Sequence, residues 1–556
     1  MLPIGHPPPL LARGGKSSQT CGSDSLVLLR YYIEKSKDKG SHLLKRESFF
    51  KVAPVAVAAL TSAAGIGALI VWLADTGGVD VKKNVPGMDD PLGARAGAEA
   101  ETAARNIEFG EIYRKSDVKK PVGRGNWPEF RGPGRDGISR EKIKLADAFG
   151  PAGPPGLWET LLGPGYAAPA VFEGCVFIMD YDLDAGAEIL RCLSIENGKE
   201  IWRSGYRMKI KSNHGISRTV PAVTEKYIVT FGARSHVMCV DTDTGKVRWG
   251  IDLEKRFGAE TPMWHAGQCP LIDGDVAVLA PASPKALLIG VSCETGEIIW
   301  ETPNPNGWKM SHSSIMPVFS ANVRTYVYAA VGGVAGVAAG KGGQGKVLWQ
   351  TSDWSASVVI PSPVAIHDSG IFLTSGYDGG SALIRINRVN EGYEAKTIYN
   401  FKGKTASKKC FSSYQQTPVY FRKHLFGIQL NGAERHSMEF ACVDPNEPGG
   451  RFVWTSGKDT VLTSPRKKEG WGPYILADGK FYVLSDNGLL VVFEADTERR
   501  KKIGEWRLMD GEETWGPLAI AGGRLLMRDV NRLACFDISA DTESGETHAV
   551  QEEKSE

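Results

Sequence analysis

The sequence has almost no excess of either charge. It contains 66 lysine and arginine residues against 64 aspartate and glutamate residues, which gives a formal net charge of +2. Proteins that bind nucleic acid through its phosphates carry a clustered basic excess, and none is present in this composition. We therefore expect no nucleic-acid partner.

The sequence also lacks local pairs of metal-binding or redox-active residues. Its nine cysteines include no Cys-x-x-Cys pair and no Cys-x-x-Cys-His motif, which excludes a covalently attached c-type haem. Its ten histidines form no His-x-His or His-x-x-x-His pair, so we expect no metal site. Cys192 and Cys239 each lie ten residues before a tryptophan, and Cys442 and Cys535 have a similar context. Equivalent positions of neighbouring repeats are too far apart to bridge, so we predict buried free thiols.

Long apolar runs are scarce, and one stands near the N-terminus. Residues 52–74 contain no charged side chain, and as a helix this segment spans the roughly 30 Å hydrocarbon core of a bilayer. Lysine and arginine precede it and acidic residues follow it, which predicts a single span with residues 1–51 as a cytoplasmic tail. The rest of the chain then lies outside the cytoplasm, in the periplasm or another extracytoplasmic compartment. A cleaved signal peptide is the alternative interpretation.

What the sequence has in abundance is a repeat. The segments ENGKEIW, DTGKVRW, ETGEIIW, GQGKVLW and PGGRFVW each place a glycine four residues before a tryptophan. The tryptophans recur about every 50 residues, with one double gap where a degenerate repeat ends near Tyr399. The members of this series, with an isolated upstream copy, are Trp158, Trp202, Trp249, Trp300, Trp349, Trp454 and Trp506.

A proline-bearing strand recurs with the same period of about 50 residues, at a different position within the repeat. Eight short strands each carry a proline and lead through a polar or glycine-bearing turn into a second apolar strand. Together the two signals predict four antiparallel strands per repeat, which is typical of a β-propeller blade. The eighth repeat has no tryptophan strand, whereas residues 156–162 form one without a preceding hairpin. We therefore predict an all-β, eight-bladed propeller that is closed by an N-terminal strand and preceded by one transmembrane helix.

These motifs resemble those of the PQQ-like (pyrroloquinoline quinone) repeat family of eight-bladed propellers, whose repeat ends in a tryptophan-docking strand. The similarity covers about residues 126–538. A polar linker, residues 75–125, precedes this region, and an acidic tail, residues 539–556, follows it. The family includes quinoprotein alcohol dehydrogenases and the non-enzymatic outer-membrane assembly lipoprotein BamB, so the fold leaves the function open.

One stretch, GNWPEFRGPGRDGISR at residues 125–140, has no helical or strand period. It is similar to the WPxFRGPxRDG opening of membrane-attached PQQ-like propellers of bacteria whose function is unassigned. Its glycines allow Trp127 and Phe130 to cover apolar surface, while Arg131, Arg135 and Asp136 can satisfy backbone groups. An active-site loop is the alternative to such a plug. Because the stretch runs towards the closing strand, we expect it at the rim of the ring, away from the axis.

Aromatic and histidine residues precede the opening proline of successive repeats. Equivalent positions on successive blades converge at one mouth of a propeller, so these residues predict a collar that binds a planar ligand or a peptide. The simpler interpretation is that they only seal the funnel. The predicted collar consists of Tyr166, His214, Trp264, His265, His312, Trp354, Tyr414, Trp471 and Trp515.

Two functions from different classes remain open. The first is a membrane-anchored scaffold that binds a protein or a ligand without a cofactor, with an assembly role like that of BamB as one form of it. The second is a PQQ-dependent quinoprotein alcohol dehydrogenase, which the resemblance implies would use Ca²⁺ and a carboxylate base. The sequence contains no adjacent cysteines for the vicinal disulfide of many such dehydrogenases. We favour the scaffold.

Overall fold

The computed structural model describes residues 107–123, 125–210, 215–340, 344–402, 410–430, 438–457, 472–511 and 513–540. Within them the chain forms eight β-sheets, and the strands that build each blade pair antiparallel with their neighbours. First strands contact one another between blades 1 and 2, blades 2 and 3, blades 5 and 6, and blades 8 and 1, and the last of these contacts closes the ring. The predicted eight-bladed propeller of four-stranded blades is confirmed.

The first four blades follow the chain in order, with the first strand of each blade next to the axis. Blade 1 contains β4 (Ala170–Phe172), β5 (Cys175–Asp182), β6 (Ala187–Ser194) and β7 (Glu200–Arg207). Blade 2 contains β8 (Ala222–Val223), β9 (Tyr227–Phe231), β10 (His236–Asp241) and β11 (Val247–Asp252). Blade 3 contains β12 (Leu271–Asp273), β13 (Val276–Leu279), β14 (Leu288–Ser292) and β15 (Ile298–Thr302). Blade 4 contains β16 (Met316–Ser320), β17 (Val323–Ala330), β18 (Gly333–Ala338) and β19 (Val347–Thr351).

The remaining blades repeat the pattern until the last, which borrows its outer strand from the N-terminal side. Blade 5 contains β20 (Val364–Ile366), β21 (Gly370–Ser375), β22 (Gly380–Val389) and β23 (Gly392–Phe401). Blade 6 contains β24 (Val419–Phe421), β25 (His424–Leu430), β26 (Met438–Asp444) and β27 (Arg451–Thr455). Blade 7 contains β28 (Tyr474–Ala477), β29 (Lys480–Leu484), β30 (Leu489–Glu494) and β31 (Lys502–Arg507). Blade 8 contains β32 (Ala519–Ala521), β33 (Arg524–Arg528), β34 (Arg532–Asp537) and β3 (Gly156–Leu161).

The N-terminal strand closes the ring as predicted. Trp158 of β3 pairs with Cys535 of β34, and Thr160 pairs with Leu533. Blade 8 is therefore held together by hydrogen bonds between residues from opposite ends of the propeller, and no sheet edge is left between first and last blades.

Two short strands extend blades beyond four strands, and the sequence did not predict them. β1 (Ile112–Lys115) pairs antiparallel with β7 on the outside of blade 1, so part of the predicted linker belongs to the propeller. β2 (Ile138–Ser139) pairs parallel with β28 on the axial side of blade 7. One helix, α1 (Leu253–Phe257), lies between blades 2 and 3 in the described part of the chain.

The repeated tryptophan joins neighbouring blades through the turn of the next repeat. The indole of Trp158 donates to the carbonyl of Ile195 at 2.8 Å, and that of Trp249 donates to Cys293 at 2.8 Å. In blade 5 the hydroxyl of Tyr399 donates to Pro445 at 2.7 Å, so tyrosine replaces tryptophan in the degenerate repeat. The tryptophan recurs once per repeat because each of these residues makes the contact between its own blade and the next.

The cysteine prediction is confirmed for the part of the chain that the structure describes. Eight cysteines lie there, and all are buried and free. Several of them pair directly with a docking tryptophan, as Cys239 does with Trp249 and Cys442 with Trp454. A small side chain is needed opposite each indole, which explains why cysteine recurs at this position.

No helix among the described residues is long and apolar enough to cross a membrane. The predicted anchor, residues 52–74, lies outside the described residues, as do residues 541–556 of the predicted tail. The anchor therefore stays a prediction.

Candidate functional site

Residues 127–139, which we call the axial segment, lie across the axis of the ring. At one end Trp127 forms two backbone hydrogen bonds with Val171 of β4, at 2.7 and 2.8 Å. The amide of Val223 in β8 donates to the carbonyl of Pro128 at 2.9 Å. At the other end the segment becomes β2 and pairs with β28 of blade 7. The segment therefore connects the first strands of blades 1 and 2 with that of blade 7.

Two arginines fix the middle of the axial segment. Arg131 is half-buried, and its guanidinium donates to the carbonyls of Thr417 and Pro418, just before β24 of blade 6. Arg135 donates to the carbonyl of Pro270, just before β12 of blade 3. Both arginines adopt a positive φ, 64° and 50°, which is rare for residues other than glycine. These contacts on opposite sides of the ring compensate for the backbone strain.

The expected rim position of this stretch is therefore wrong. It was inferred from the proximity of the stretch in sequence to the closing strand β3. Residues 140–155 separate the two, and that many extended residues reach roughly 50 Å, enough to run from the axis to the outer edge. The intervening chain follows blade 7, where the amine of Lys480 donates to the carbonyl of Leu145 at 3.0 Å.

A cavity of about 150 Å³ lies between the axial segment and the loops that lead into the first strands. Trp127, Phe130 and Arg131 of the axial segment form part of its wall. The loops contribute aromatic, basic and amide side chains, which include those of Tyr166, Arg218, Trp264, His312, Tyr377, Gln415, Gln416 and Trp515. One side of the cavity is thus formed by a part of the chain outside the eight four-stranded blades.

Aromatic rings form two walls of the cavity. The indole of Trp264 stacks on His312, with ring centroids 6.3 Å apart, and on Tyr377, with centroids 5.9 Å apart. Tyr166 and Trp515, from the loops before blades 1 and 8, lie with their centroids 5.0 Å apart. Flat walls of this kind favour a flat apolar group between them.

Trp264 is held in place by a strained loop. Trp264 and His265 adopt φ angles of 64° and 74°, so two consecutive bulky residues occupy the left-handed region. Such strain persists where the surroundings impose it and is concentrated at functional sites. The strained backbone directs the indole of Trp264 towards the side chains of blades 4 and 5.

The electrostatics of the cavity are set by arginine. The guanidinium carbon of Arg218 lies 5.2 Å from the centroid of the Tyr166 ring. Burial, and secondarily the charge of Arg218, lower the pKa of His312 to about 3, so this imidazole is neutral at physiological pH. Burial also lowers the pKa of Arg131 to about 10, which leaves it positively charged. The hydroxyl of Tyr166 lies 2.5 Å from the Glu513 carboxylate; burial, together with this charge, raises the tyrosine pKa.

The structure brings together some of the predicted collar and not the rest. Tyr166, Trp264, His312 and Trp515 line the cavity, and Tyr414 lies beside it, 5.1 Å from Tyr377 between centroids. Binding of a planar ligand or a peptide by these residues stays a prediction.

Four predicted collar residues are not seen at the cavity. Trp354 is 1% exposed and donates its indole hydrogen to the carbonyl of Gly379, so it belongs to the core of blades 4 and 5. His265 is not among the lining residues. His214 and Trp471 lie outside the described residues.

Sequence reasoning missed several cavity residues. Arg218 lies three residues before the opening proline of its repeat, a position at which no other repeat carries a charged residue. Tyr377 comes from the turn between β21 and β22, which carries no repeated signal. The sequence points to Trp127, Phe130 and Arg131 but predicts them at the rim. Their position depends on contacts with blades that are remote in sequence.

The described cavity lining does not fit a quinone held by calcium. Calcium prefers several oxygen ligands that include carboxylates, and the lining residues that the structure describes contain amides and hydroxyls but no carboxylate. Within the described ranges, no group of three histidine, cysteine, aspartate or glutamate residues is placed to hold a metal ion.

Comparison with known proteins gives a family match over part of the chain and a clear match in fold. A family model described as "Outer membrane protein assembly factor BamB" matches residues 186–414. No curated protein matches the chain.

Solved structures of two kinds are similar in fold. Quinohemoprotein alcohol dehydrogenase ADHIIG from Pseudomonas putida HK5 is 12% identical, with a TM-score of 0.52 over 78% of this chain and 82% of that chain. The quinohemoprotein alcohol dehydrogenase from Comamonas testosteroni is 12% identical, with a TM-score of 0.50 over 82% and 86%. BamB from Moraxella catarrhalis is 12% identical, with a TM-score of 0.46 over 69% and 99%. At this identity the likeness to the two dehydrogenases shows the fold alone.

Proposed function

We propose that this propeller is a binding scaffold whose central cavity receives one ring-bearing side chain of a partner protein. The observation that carries the proposal is the cavity of about 150 Å³ between the axial segment and the aromatic walls of the funnel. A buried pocket that accepts one aromatic anchor is the usual centre of a protein interface. The partial match to the BamB family model is consistent with a protein partner.

The size of the cavity favours a single ring. Pockets for small molecules and cofactors usually measure about 300 to 1,000 Å³. An engineered apolar cavity of about 150 Å³ binds benzene, which is the size of one aromatic side chain. A phenylalanine or tyrosine ring therefore fits, whereas a fused multi-ring cofactor needs the axial segment or the funnel loops to move.

The alternative is a PQQ-dependent quinoprotein alcohol dehydrogenase with Ca²⁺. Its support is the fold that the chain shares with two quinohemoprotein alcohol dehydrogenases. Against it stands the described lining, which offers Gln415 and Gln416 but no carboxylate for a metal or for a base. We therefore place this function second.

We also propose that residues 52–74 anchor the propeller to a membrane, with the propeller outside the cytoplasm. The support is the uncharged run and the basic residues before it. The test is a reporter enzyme that functions only in the periplasm, fused to the C-terminus. We expect this fusion to be active. Activity only in the cytoplasm would contradict this orientation.

The binding proposal is tested with the full-length protein and a neutral ring. Toluene at millimolar concentration should raise the melting temperature of the wild type, because a ligand that binds only the folded state stabilises it. Trp264→Ala should abolish the shift, because it removes an aromatic wall. Phe319→Ala removes a ring that is 72% exposed on β16 and should leave the shift unchanged.

The same preparation distinguishes the two functions. PQQ with Ca²⁺ should give neither dye-linked alcohol oxidation nor a rise in melting temperature if the protein is a scaffold. Oxidation that depends on added PQQ would establish the dehydrogenase instead. The absence of any shift with toluene would show that the cavity does not bind a ring.

A further inference from the structure

We propose that the ring which fills the cavity is a phenol, supplied by a tyrosine of the partner protein, and that its hydroxyl donates a hydrogen bond to the imidazole of His312. This rests on the proposed function, since it concerns the same cavity. It adds the chemistry of the anchor residue, which is a single ring with a hydrogen-bond donor at its edge.

The imidazole of His312 is a hydrogen-bond acceptor in the wall of the cavity. One nitrogen of the ring donates its hydrogen to the carbonyl of Met263. Burial, and secondarily the charge of Arg218, lower the pKa of the ring to about 3, so it carries no second hydrogen at physiological pH. A neutral imidazole has one N–H, and its other nitrogen can only accept. His312 therefore offers one lone pair to a ligand.

This second nitrogen is open to a ligand. No residue that the structure describes donates a hydrogen bond to it. His312 lines the cavity, and 9% of its surface is exposed. The nitrogen atoms that lack a partner and are shut off from solvent include that of the Trp264 indole, but neither nitrogen of His312. A donor inside the cavity can therefore reach this acceptor.

The other polar groups of the described wall also favour a ligand that donates. Arg131 donates four hydrogen bonds, all to backbone carbonyls, and Nε and Nη2 of Arg218 are shut off from solvent. Nε2 of Gln416 donates to the carbonyl of Trp515 at 3.2 Å, which leaves the carboxamide oxygen as a second acceptor. Gln415 can donate or accept and does not decide between the two.

A tyrosine side chain fits both the shape and the acceptor. The flat walls and the volume of about 150 Å³ accommodate one benzene-sized ring. The tyrosine hydroxyl has an ordinary pKa of about 10, so it keeps its hydrogen at physiological pH and can donate. Phenylalanine fits equally well but leaves the acceptor of His312 unpaired, which makes its binding weaker. The fused ring of tryptophan is larger than the cavity favours.

The donor requirement is tested with small rings and the full-length protein. Toluene, para-fluorotoluene and para-cresol are titrated by calorimetry. The last two have almost the same shape, but only the cresol hydroxyl can donate. Para-cresol should bind about 5-fold more tightly than para-fluorotoluene, since one neutral hydrogen bond contributes about that factor.

His312→Phe keeps a flat ring and removes the acceptor. It should lower the preference for para-cresol over para-fluorotoluene by about 10-fold, because the cresol hydroxyl is then buried without a partner. Toluene should still raise the melting temperature of this variant. His312→Gln should keep part of the preference, since a carboxamide oxygen can accept. His424→Phe changes a histidine of β25 that does not line the cavity and should leave the preference intact.

The source of the phenol is tested with peptides. Short glycine-serine peptides with one central tyrosine or one central phenylalanine are titrated into the same protein. The tyrosine peptide should bind more tightly than the phenylalanine peptide by about 5-fold, and para-cresol should displace it.

The outcomes separate the two proposals. Equal binding of para-cresol and para-fluorotoluene, or an unchanged preference in His312→Phe, overturns the role of His312 but leaves the binding of a ring in place. Binding of para-cresol without binding of the tyrosine peptide overturns the assignment to a tyrosine and points to a free phenol. Failure of toluene and of every other ring removes the proposed function itself.

Discussion

The pKa of His312 is set by the surroundings of the cavity. Its imidazole is buried among aromatic rings and lies near a guanidinium, and both the burial and this charge oppose protonation. The folded protein therefore holds it neutral with a pKa of about 3, whereas its ordinary value is 6.5. An unfolded chain takes up this proton at a much higher pH than the folded one does.

This difference predicts how stability depends on pH. Because the folded pKa is depressed, the contribution of His312 to the free energy of unfolding is complete above about pH 6.5 and is lost as the pH falls towards 3. The loss is about 1.4 kcal/mol per pH unit, or about 2 kcal/mol between pH 7 and pH 5. Between pH 7 and pH 5, the free energy of unfolding measured in urea should therefore fall by that much more for the wild type than for His312→Gln. An equal decline of the two proteins would mean that His312 is protonated in the folded state.

Among the elements, the outer strands of several blades are joined to the next blade by a tryptophan that lies against a glycine of its turn. A Cβ added to Gly245 would lie 2.4 Å from the ring of Trp202, and one added to Gly198 would lie 2.5 Å from Trp158. Both glycines also adopt a positive φ, 72° and 68°. The turn therefore needs glycine for two reasons, its backbone conformation and the approach of the indole.

Two glycines with the same backbone conformation allow the cost of the positive φ to be measured separately from the cost of the contact with the indole. Gly245 and Gly258 have nearly the same φ, 72° and 71°, but nothing lies within 4 Å of a Cβ placed on Gly258. Gly258→Ala should cost about 1 kcal/mol for the left-handed backbone alone. Gly245→Ala should cost about 2 to 4 kcal/mol, because the indole of Trp202 must also move. Urea unfolding measures both, and equal costs would show that the contact with Trp202 is not important.

The same contacts explain how much of the structure the sequence revealed. Glycine and tryptophan recur at a fixed spacing because every blade needs the same junction, so the fold, the number of blades and the closing strand were predictable. Cavity residues such as Arg218 and Tyr377 occur once, on loops that differ from blade to blade. The course of the axial segment depends on partners such as Thr417 and Pro270, which no local pattern identifies.

For the whole molecule, closure depends on one strand that no hairpin connects to its blade. Glu159 of β3 pairs with Ala534, whereas Glu301 occupies the corresponding position of β15 and pairs with Ile289 of its own hairpin. Breaking the first pairing separates blades 1 and 8, whereas breaking the second disturbs only blade 3.

Proline substitutions at these two positions test the difference. Glu159→Pro should increase amide hydrogen exchange throughout blades 8 and 1, because the ring opens where the two ends of the propeller meet. Glu301→Pro should increase exchange within blade 3 and its immediate neighbours only. If both variants show only local exchange, the ring does not depend on β3 for closure.

The axial segment and β3 also have a consequence for the order of synthesis. Both precede every blade in the chain, yet Arg131 requires carbonyls of blade 6, and β3 requires β34, which is made last. Arg528 and the carbonyl of Ala167 that it binds are 361 residues apart. Long-range contacts of this kind form slowly, because a large loop must close first. The ring can therefore close, and Trp515 can complete the wall of the cavity, only after nearly the whole propeller has been synthesised.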